Sequence, residues 1–425
     1  MALSLRRTFR ALRYRNYRLF FIGQGVSQIG TWAQQVAMGW LVYRLTGSAV
    51  LLGVVAFCAN VGILVFGHFA GVLADRIDRR RGVLVTQSLM LVQATLLALL
   101  TASGLVTTWH LVVLALWLGT CTAFDLPLRQ SMYVLFVDER SDLPNAIALN
   151  SLLVNLARVV GPAVAGLLLS VTSEAVCFAL NAVSFLAVIG AFLMMRWPPH
   201  TRPAKVAGFW SSWAEGARYA ASLPPVRSLL VMVAILAWTI SPYSALMPVY
   251  AKDIYGSGPH ALGWLLAAAG AGALVSTLFL ASRHSVRGLA AIIVRAAAAS
   301  GVALAAFSYA RLFPLALLLM VFVGGGLILA AASTNMILQT IVDDRLRGRI
   351  AGFYTLAFVG VAPLGNLAAG ALAGIVGVPM TFLVNGALAA CGALWLWRKL
   401  PALRDALRPI YRDLGILADT TVTRD

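Results

Sequence analysis

Arg158 and Pro162 stand one helical turn apart inside a predominantly apolar run, residues 146–171. If that run crosses a bilayer as a helix, Arg158 lies roughly 20 Å from its start at 1.5 Å per residue. A guanidinium at that depth costs about 2.5–3.5 kcal/mol on insertion scales, so it must face protein and find a partner. Pro162 has no N–H, and its ring crowds the carbonyl four residues back, that of Arg158 itself. The pair predicts a kink with a freed carbonyl on the very turn that bears the charge. Two chemistries fit: Arg158 meets an anionic substrate or an acid of a proton relay, or it is satisfied by carbonyls and by Asn155. Asp125 is the one carboxylate inside any of the long apolar runs, a turn from the end of its own and just before Pro127. It is either a proton carrier or a fixed partner of Arg129. The remaining reactive types are dispersed. His68, His110, His200, His260 and His284 adjoin no acidic motif, and Cys58, Cys121, Cys177 and Cys391 sit far apart in apolar stretches with no CxxC. No catalytic residue, metal site, cofactor or disulfide is indicated.

The elements that must hold these residues are membrane helices. Of 425 residues 60% are hydrophobic and 11% charged, against roughly 45–50% and about 25% in soluble domains. Apolar runs fall at 19–42, 49–73, 83–103, 109–128, 146–171, 175–195, 228–250, 261–281, 288–309, 312–336, 350–376 and 379–397. Each is near the ~20 residues a span needs. The net charge of +18 would suggest nucleic acid in a soluble chain, but the arginines follow the membrane instead. Setting aside Arg44, Lys252 and Arg311 in the opposite loops and Arg158 and Arg295 within spans, 28 of the 33 Lys and Arg residues fall in the termini and alternate loops. By the positive-inside rule those loops are cytoplasmic. Twelve spans with both termini inside a bacterial inner membrane follow, and nucleic acid is not a partner. The basic flank Arg6 to Arg18 precedes an apolar segment too long for a signal peptide, so it opens an uncleaved first span.

The longest loop, 196–227, divides the chain. Phe209, Trp213, Ala217 and Ala220 share a helical face there, with Glu215 and Arg218 off it, which predicts a short amphipathic helix on the membrane surface. Val137-Asp138-Glu139-Arg140 reappears as Val342-Asp343-Asp344-Arg345, and Phe178-Ala179-Leu180-Asn181 as Phe382-Leu383-Val384-Asn385. The near-constant offset, about half the chain, predicts an all-α integral membrane fold of twelve helices in two pseudo-symmetric six-helix bundles. Residues 1–196 form the first and 228–398 the second, with 197–227 a cytoplasmic linker and 399–425 a cytoplasmic tail. In such repeat folds the substrate path lies between the halves.

Specific motifs now point to a family. Gly71-Val72-Leu73-Ala74-Asp75-Arg76-Ile77-Asp78-Arg79-Arg80-Arg81 is similar to the G-x-L-A-D-R-x-G-R-R motif of the major facilitator superfamily, with Asp78 where the motif has glycine. Ala157 to Gly166 resembles its antiporter motif G-x-x-x-G-P-x-x-G-G through Gly161, Pro162 and Gly166, with alanines at 157 and 165. Small residues still replace small ones, so close packing survives. Phe124 to Gln130, Glu215 to Tyr219, Pro248 to Asp253 and Arg347-Gly348-Arg349 resemble the enterobactin-exporter-like branch, which exports drugs and siderophores. The resemblance implies the major facilitator fold and a cytoplasmic gate in which Gly71, Asp75, Arg76 and Arg79 act with Arg129. It also implies a cavity lined by spans 1, 4, 7 and 10. Gln24, Gln28, Trp32 and Gln35 form a stripe on span 1, which serves either that cavity or interhelical hydrogen bonding; Trp238 and Tyr243 belong to span 7, and Asn335 and Gln339 to span 10.

The functional expectation is a monomeric secondary transporter that exports small amphipathic molecules by alternating access, with the bilayer and a small-molecule substrate as its partners. No G-x-x-x-x-G-K-[ST] motif is present, which disfavours ATP hydrolysis and leaves an ion gradient, protons, as the drive, in antiport. An importer or lysophospholipid flippase of the same fold is the alternative. An integral membrane enzyme would gather His, Asp, Glu or a nucleophile at one interface. A receptor would carry a sizeable soluble domain.

Overall fold

Local chemistry writes the helix ends. The computed structural model describes residues 9–74, 77–197, 209–283, 285–414 and 416. The first long helix, α1 (Arg15–Thr46), stops at Gly47, whose positive φ lets its N–H reach the Tyr43 carbonyl at 2.9 Å. Next come α2 (Ala49–Ala74) and α3 (Arg79–Ala102), the latter capped by the Asp78 carboxylate, which accepts from the Arg81 N–H. With φ of −62° at Asp78, the position needs a capping acceptor and no left-handed glycine. Thr107 and His110 cap α4 (Thr108–Gln130) reciprocally. After α5 (Leu143–Val171) and α6 (Glu174–Met194), the connecting segment contains α7 (Phe209–Ser222). Six spans complete the chain: α8 (Pro224–Ile254), α9 (Gly258–Ala281), α10 (Leu289–Phe307), α11 (Phe313–Ile341), α12 (Arg345–Val376) and α13 (Val378–Asp413). Prolines stand in the first turns of α5, α8, α11 and α13, where no helical N–H partner is lost.

Among the described residues eleven helices are long and apolar enough to cross a membrane. The twelfth expected span, α1, is 32 residues long; the amides of Gln24, Gln28, Gln34 and Gln35 lower its average hydropathy. Two spans are not uniformly α-helical. In α8 the helix opens over 240–242, where Pro242 supplies no N–H, and its last turns, Tyr250–Ile254, are a π-helix. In α12 the π segment is Leu356–Gly360.

The chain forms two compact units. The first comprises Met1–Ala204, Ser244–Gly270 and Asn366–Ile375. Within it α2 and α4 cross at glycines: a methyl built on Gly119 would lie 2.6 Å from the Ala59 carbonyl oxygen, so only hydrogen fits. A buried amide chain ties four helices. Asn181 of α6 donates to Gln34 of α1 (2.8 Å), Gln34 to Gln93 of α3 (3.2 Å), and Gln93 to the Leu114 carbonyl of α4 (3.1 Å). Near the basic loops an aromatic core of Tyr17, Phe20, Phe136 and Phe192 packs beside Val83 and Leu128.

The second unit comprises Lys205–Tyr243, Ala271–Gly365 and Val376–Asp425. Ser300 of α10 donates to the Val323 carbonyl and Ser276 of α9 to that of Gly325 (2.8 and 2.9 Å), both on α11. The expected amphipathic segment is helical as α7, and its Gly216 packs on Arg349 and Phe353 of α12. Ala220 is buried and Ala217 half-buried, whereas the side chains of Phe209 and Trp213 lie outside the described residues. Glu215 is ion-paired with Arg349, with Arg345 3.7 Å away. Burial and the neighbouring Asp343 push the Tyr219 hydroxyl above its ordinary pKa. Helix α13 continues past its expected end at 397 to Asp413, because Leu400, Leu403, Leu407 and Tyr411 make a buried stripe at helical spacing.

Candidate functional site

A fully buried carboxylate organises one end of the first unit. Asp125 has no exposed surface. Its Oδ1 accepts from the Thr86 hydroxyl (2.7 Å) and the Gln87 amide (3.0 Å), both on α3. Its Oδ2 is 2.5 Å from Nε of Arg129, one turn along α4, in contact as an ion pair and not as an aligned hydrogen bond. The pair spans i and i+4 of one helix, so the backbone alone brings it together. Sequence reasoning found the carboxylate and its arginine; it missed Thr86 and Gln87. A Thr-Gln pair one residue apart in an apolar run was the available signal.

The Arg79 guanidinium donates to the Ser131 carbonyl at 3.3 Å, reaching the carbonyl end of α4 beside Arg129, where a cation is favoured by the helix dipole. Arg79 and Arg129 therefore meet at one helix end, and Arg129 is engaged by Asp125. Asp75 and Arg76 lie outside the described residues. Gly71 is half-buried, and among the described residues nothing lies within 4 Å of where a methyl would sit. A second charged group at the same end was not anticipated: Asp142, also without exposed surface, pairs with Arg10 and with Arg13 (2.9 Å) and accepts from the Tyr14 hydroxyl (2.8 Å). It anchors the segment before α1 to the start of α5.

Deeper in the unit, Arg158 and Trp32 come together. The guanidinium carbon lies 5.5 Å from the centroid of a Trp32 ring, within cation–π range. They were chosen for different reasons, and α1 and α5 place them together because Gly161 lets the helices close: a methyl there would lie 3.2 Å from the Ile29 carbonyl oxygen and 3.3 Å from Cγ of Trp32. Asn155 donates its amide to the Ser151 carbonyl one turn back (2.8 Å). Helix α5 runs unbroken through Pro162. The Arg158 carbonyl, whose usual N–H partner the proline lacks, is where α9 packs, since a methyl on Gly270 would sit 2.6 Å from that oxygen. Towards the other end of α5, Gly166 meets Gly263 of α9 in the same close manner.

On the span 1 stripe Gln24 is buried, with its carbonyl oxygen lacking a hydrogen-bond partner among the described residues; Gln28 and Trp32 are half-buried and Gln35 is exposed. The interhelical hydrogen bonding of α1 is carried instead by Gln34, one position off that stripe. In the second unit Trp238 is exposed and Tyr243 half-buried, on either side of the break at Pro242. The Trp238 backbone supports Gly365 of α12. Asn335 and Gln339 are half-buried on α11.

Three comparisons bear on this arrangement. The model of the family described as transmembrane secretion effector matches residues 6–413. The chain is 23% identical over 384 residues to the staphyloferrin A transporter of Staphylococcus aureus, covering 88% of this chain and 94% of that one. It is 29% identical over 362 residues to the multidrug efflux pump Tap of Mycolicibacterium fortuitum, covering 82% and 87%. Among solved structures it resembles a POT family transporter in complex with 5-aminolevulinic acid (TM-score 0.74, 12% identity, 92% and 97% covered). The nucleoside transporter NupG is similar (TM-score 0.70, 14% identity, 91% and 99% covered). At such identities the likeness to solved structures is one of fold alone.

Proposed function

Because the chain belongs to the transmembrane secretion effector family of the major facilitator superfamily, we propose that it exports small amphipathic molecules by alternating access, in exchange for protons. The observation that supports the export reading is its likeness, over more than four fifths of both chains, to the multidrug efflux pump Tap. Coupling is assigned to Asp125. It is a buried carboxylate inside a span, held by Arg129, Thr86 and Gln87, and its protonation would release Arg129.

In this reading residues 1–196 and 228–398 are the two rocking halves, joined by the linker 197–227, and the tail 399–425 lies on the same side as the basic loops. That side is the cytoplasm, and the protein works as a monomer in the cell membrane. Gly71, Asp75, Arg76, Arg79 and Arg129 form the cytoplasmic gate, supported by the meeting of Arg79 and Arg129 at the end of α4. Gly161, Pro162 and Gly166 set the close packing of α5. Cargo is met by Gln24, Gln28, Trp32 and Gln35 with Arg158, and by Trp238, Tyr243, Asn335 and Gln339. A guanidinium stacked on Trp32 suits a large molecule with an anionic group.

The test is transport into everted membrane vesicles, with candidate siderophores and lipophilic drugs as cargo. Uptake should follow an imposed pH gradient and collapse with nigericin. Movement only in the opposite direction, indifferent to the gradient, would rule out proton-coupled export.

A further inference from the structure

The end of the molecule away from the basic loops carries charged contacts of its own. Tyr43 lies in the last turn of α1, buried, and its hydroxyl donates to Oδ2 of Asp253 at the end of α8. Lys252, the preceding residue, places its ammonium 5.3 Å from the centroid of the same tyrosine ring. One side chain is thus held at its tip by a carboxylate and on its face by a cation. Both come from the π-helical segment Tyr250–Ile254. Neighbouring side chains on an α-helix diverge by about 100°. The wider π turn narrows that angle, and such turns concentrate at functional sites.

The next residue of α1 is tied differently. Arg44 makes two contacts with Glu174 at the start of α6, 2.7 and 3.2 Å, in a bidentate pair, the geometry that fixes a guanidinium most firmly. Asp253 and Lys252 are exposed, whereas Glu174 is buried. So two adjacent residues on α1 have opposite properties: Arg44 fastens the helix end within the first half of the sequence, and Tyr43 holds the second half through one solvent-accessible hydrogen bond. The same end contains two glycine crossings between sequence halves. A methyl on Gly53 of α2 would lie 2.7 Å from the Asn366 carbonyl oxygen of α12, and one on Gly263 of α9 would lie 2.6 Å from that of Pro162. Bare backbones that touch over hydrogens alone make a tight seal and leave no side chain to lock it. The lock must come from elsewhere.

We propose that Tyr43, Asp253 and Lys252 form the releasable latch of the outer gate, holding that end shut until cargo is discharged. This rests on the alternating-access reading above. Loss of one hydrogen bond to a carboxylate should shift the balance between closed and open outer ends about tenfold, equivalent to ~1.4 kcal/mol.

The experiment uses the full-length protein with its four cysteines replaced by serine and a reporter cysteine at Gly39, about one turn inward of Tyr43 on α1, where a β-carbon would make ordinary contact with Pro248 of α8. A membrane-impermeant maleimide is applied separately to right-side-out and everted vesicles. Tyr43→Phe and Asp253→Asn should each raise labelling from the outer side about tenfold, and the double variant should add little, since both remove one contact. In a second arm, cysteines at both 43 and 253 joined by a short bis-maleimide should stop transport, while either cysteine alone should not. Unchanged labelling in both single variants, with protein that elutes as one species and still binds cargo, overturns the latch. So does transport that survives the cross-link. The underlying reading fails separately: with the native Tyr43 and Asp253, the reporter would then be labelled from one side only, whatever cargo is present.

Discussion

Replacing Asp125 with asparagine separates a coupling carboxylate from a structural one. Asparagine keeps an oxygen where Oδ1 accepts from Thr86 and Gln87, so those two bonds survive. What it loses is the charge opposite Arg129, whose side chain is only 15% exposed. Breaking a buried pair by removing one partner costs about 3–5 kcal/mol, chiefly from the charge left behind. Asp125→Asn alone should therefore destabilise the purified protein markedly, and its loss of transport would have two explanations. Arg129→Gln on top of it removes the stranded charge; an amide pair can hydrogen-bond at the same distance, and most of that stability should return. Melting in detergent and gradient-driven vesicle transport are then read on the same preparations. The double variant should melt near the parent and exchange cargo down its own concentration gradient, yet show no response to an imposed pH gradient. If it pumps against a gradient as the parent does, Asp125 is not the coupling group.

Three further outcomes follow from the geometry. Gly119→Val forces a β-carbon into the backbone of α2, where nothing can yield; a loss of about 1–3 kcal/mol is expected from overpacking, and an unchanged melting temperature would contradict the crossing. Gln34→Leu strands Asn181 and Gln93 together, and interhelical bonds in membranes are worth about 0.6 and at most about 1.7 kcal/mol; melting should fall slightly, while Gln35→Leu, exposed, should leave it unmoved. Arg158→Lys preserves charge but loses the planar stack on Trp32. It should weaken competition by anionic cargo several-fold and spare neutral cargo, and equal effects on both would remove Arg158 from the binding site.

The membrane fold was legible because its causes are collective. Hydrophobicity, arginine placement and the repeat offset each sum over many residues, and none depends on one contact. Asn181 and Asn385, matched across the repeat by position alone, are both buried. Contacts among the expected residues were legible where the partner lies one turn away, as Arg129 does from Asp125. They were not legible where the partner comes from another helix. The spacing along α1 singles out Gln35, which is exposed, over Gln34, which carries the interhelical network; the difference is one residue, or about 100° of rotation, set by what α3 and α6 present. The same limit explains Tyr43. Read alone it is an aromatic residue at a span end, where tyrosine is common for interfacial reasons. Its meaning depends on a carboxylate 210 residues away and on a π turn, which no periodicity in the sequence marks. Residues that hold two parts of a chain together only for part of a cycle must be individually weak and separately placed. A gate is therefore the feature that summed sequence signals are least able to find.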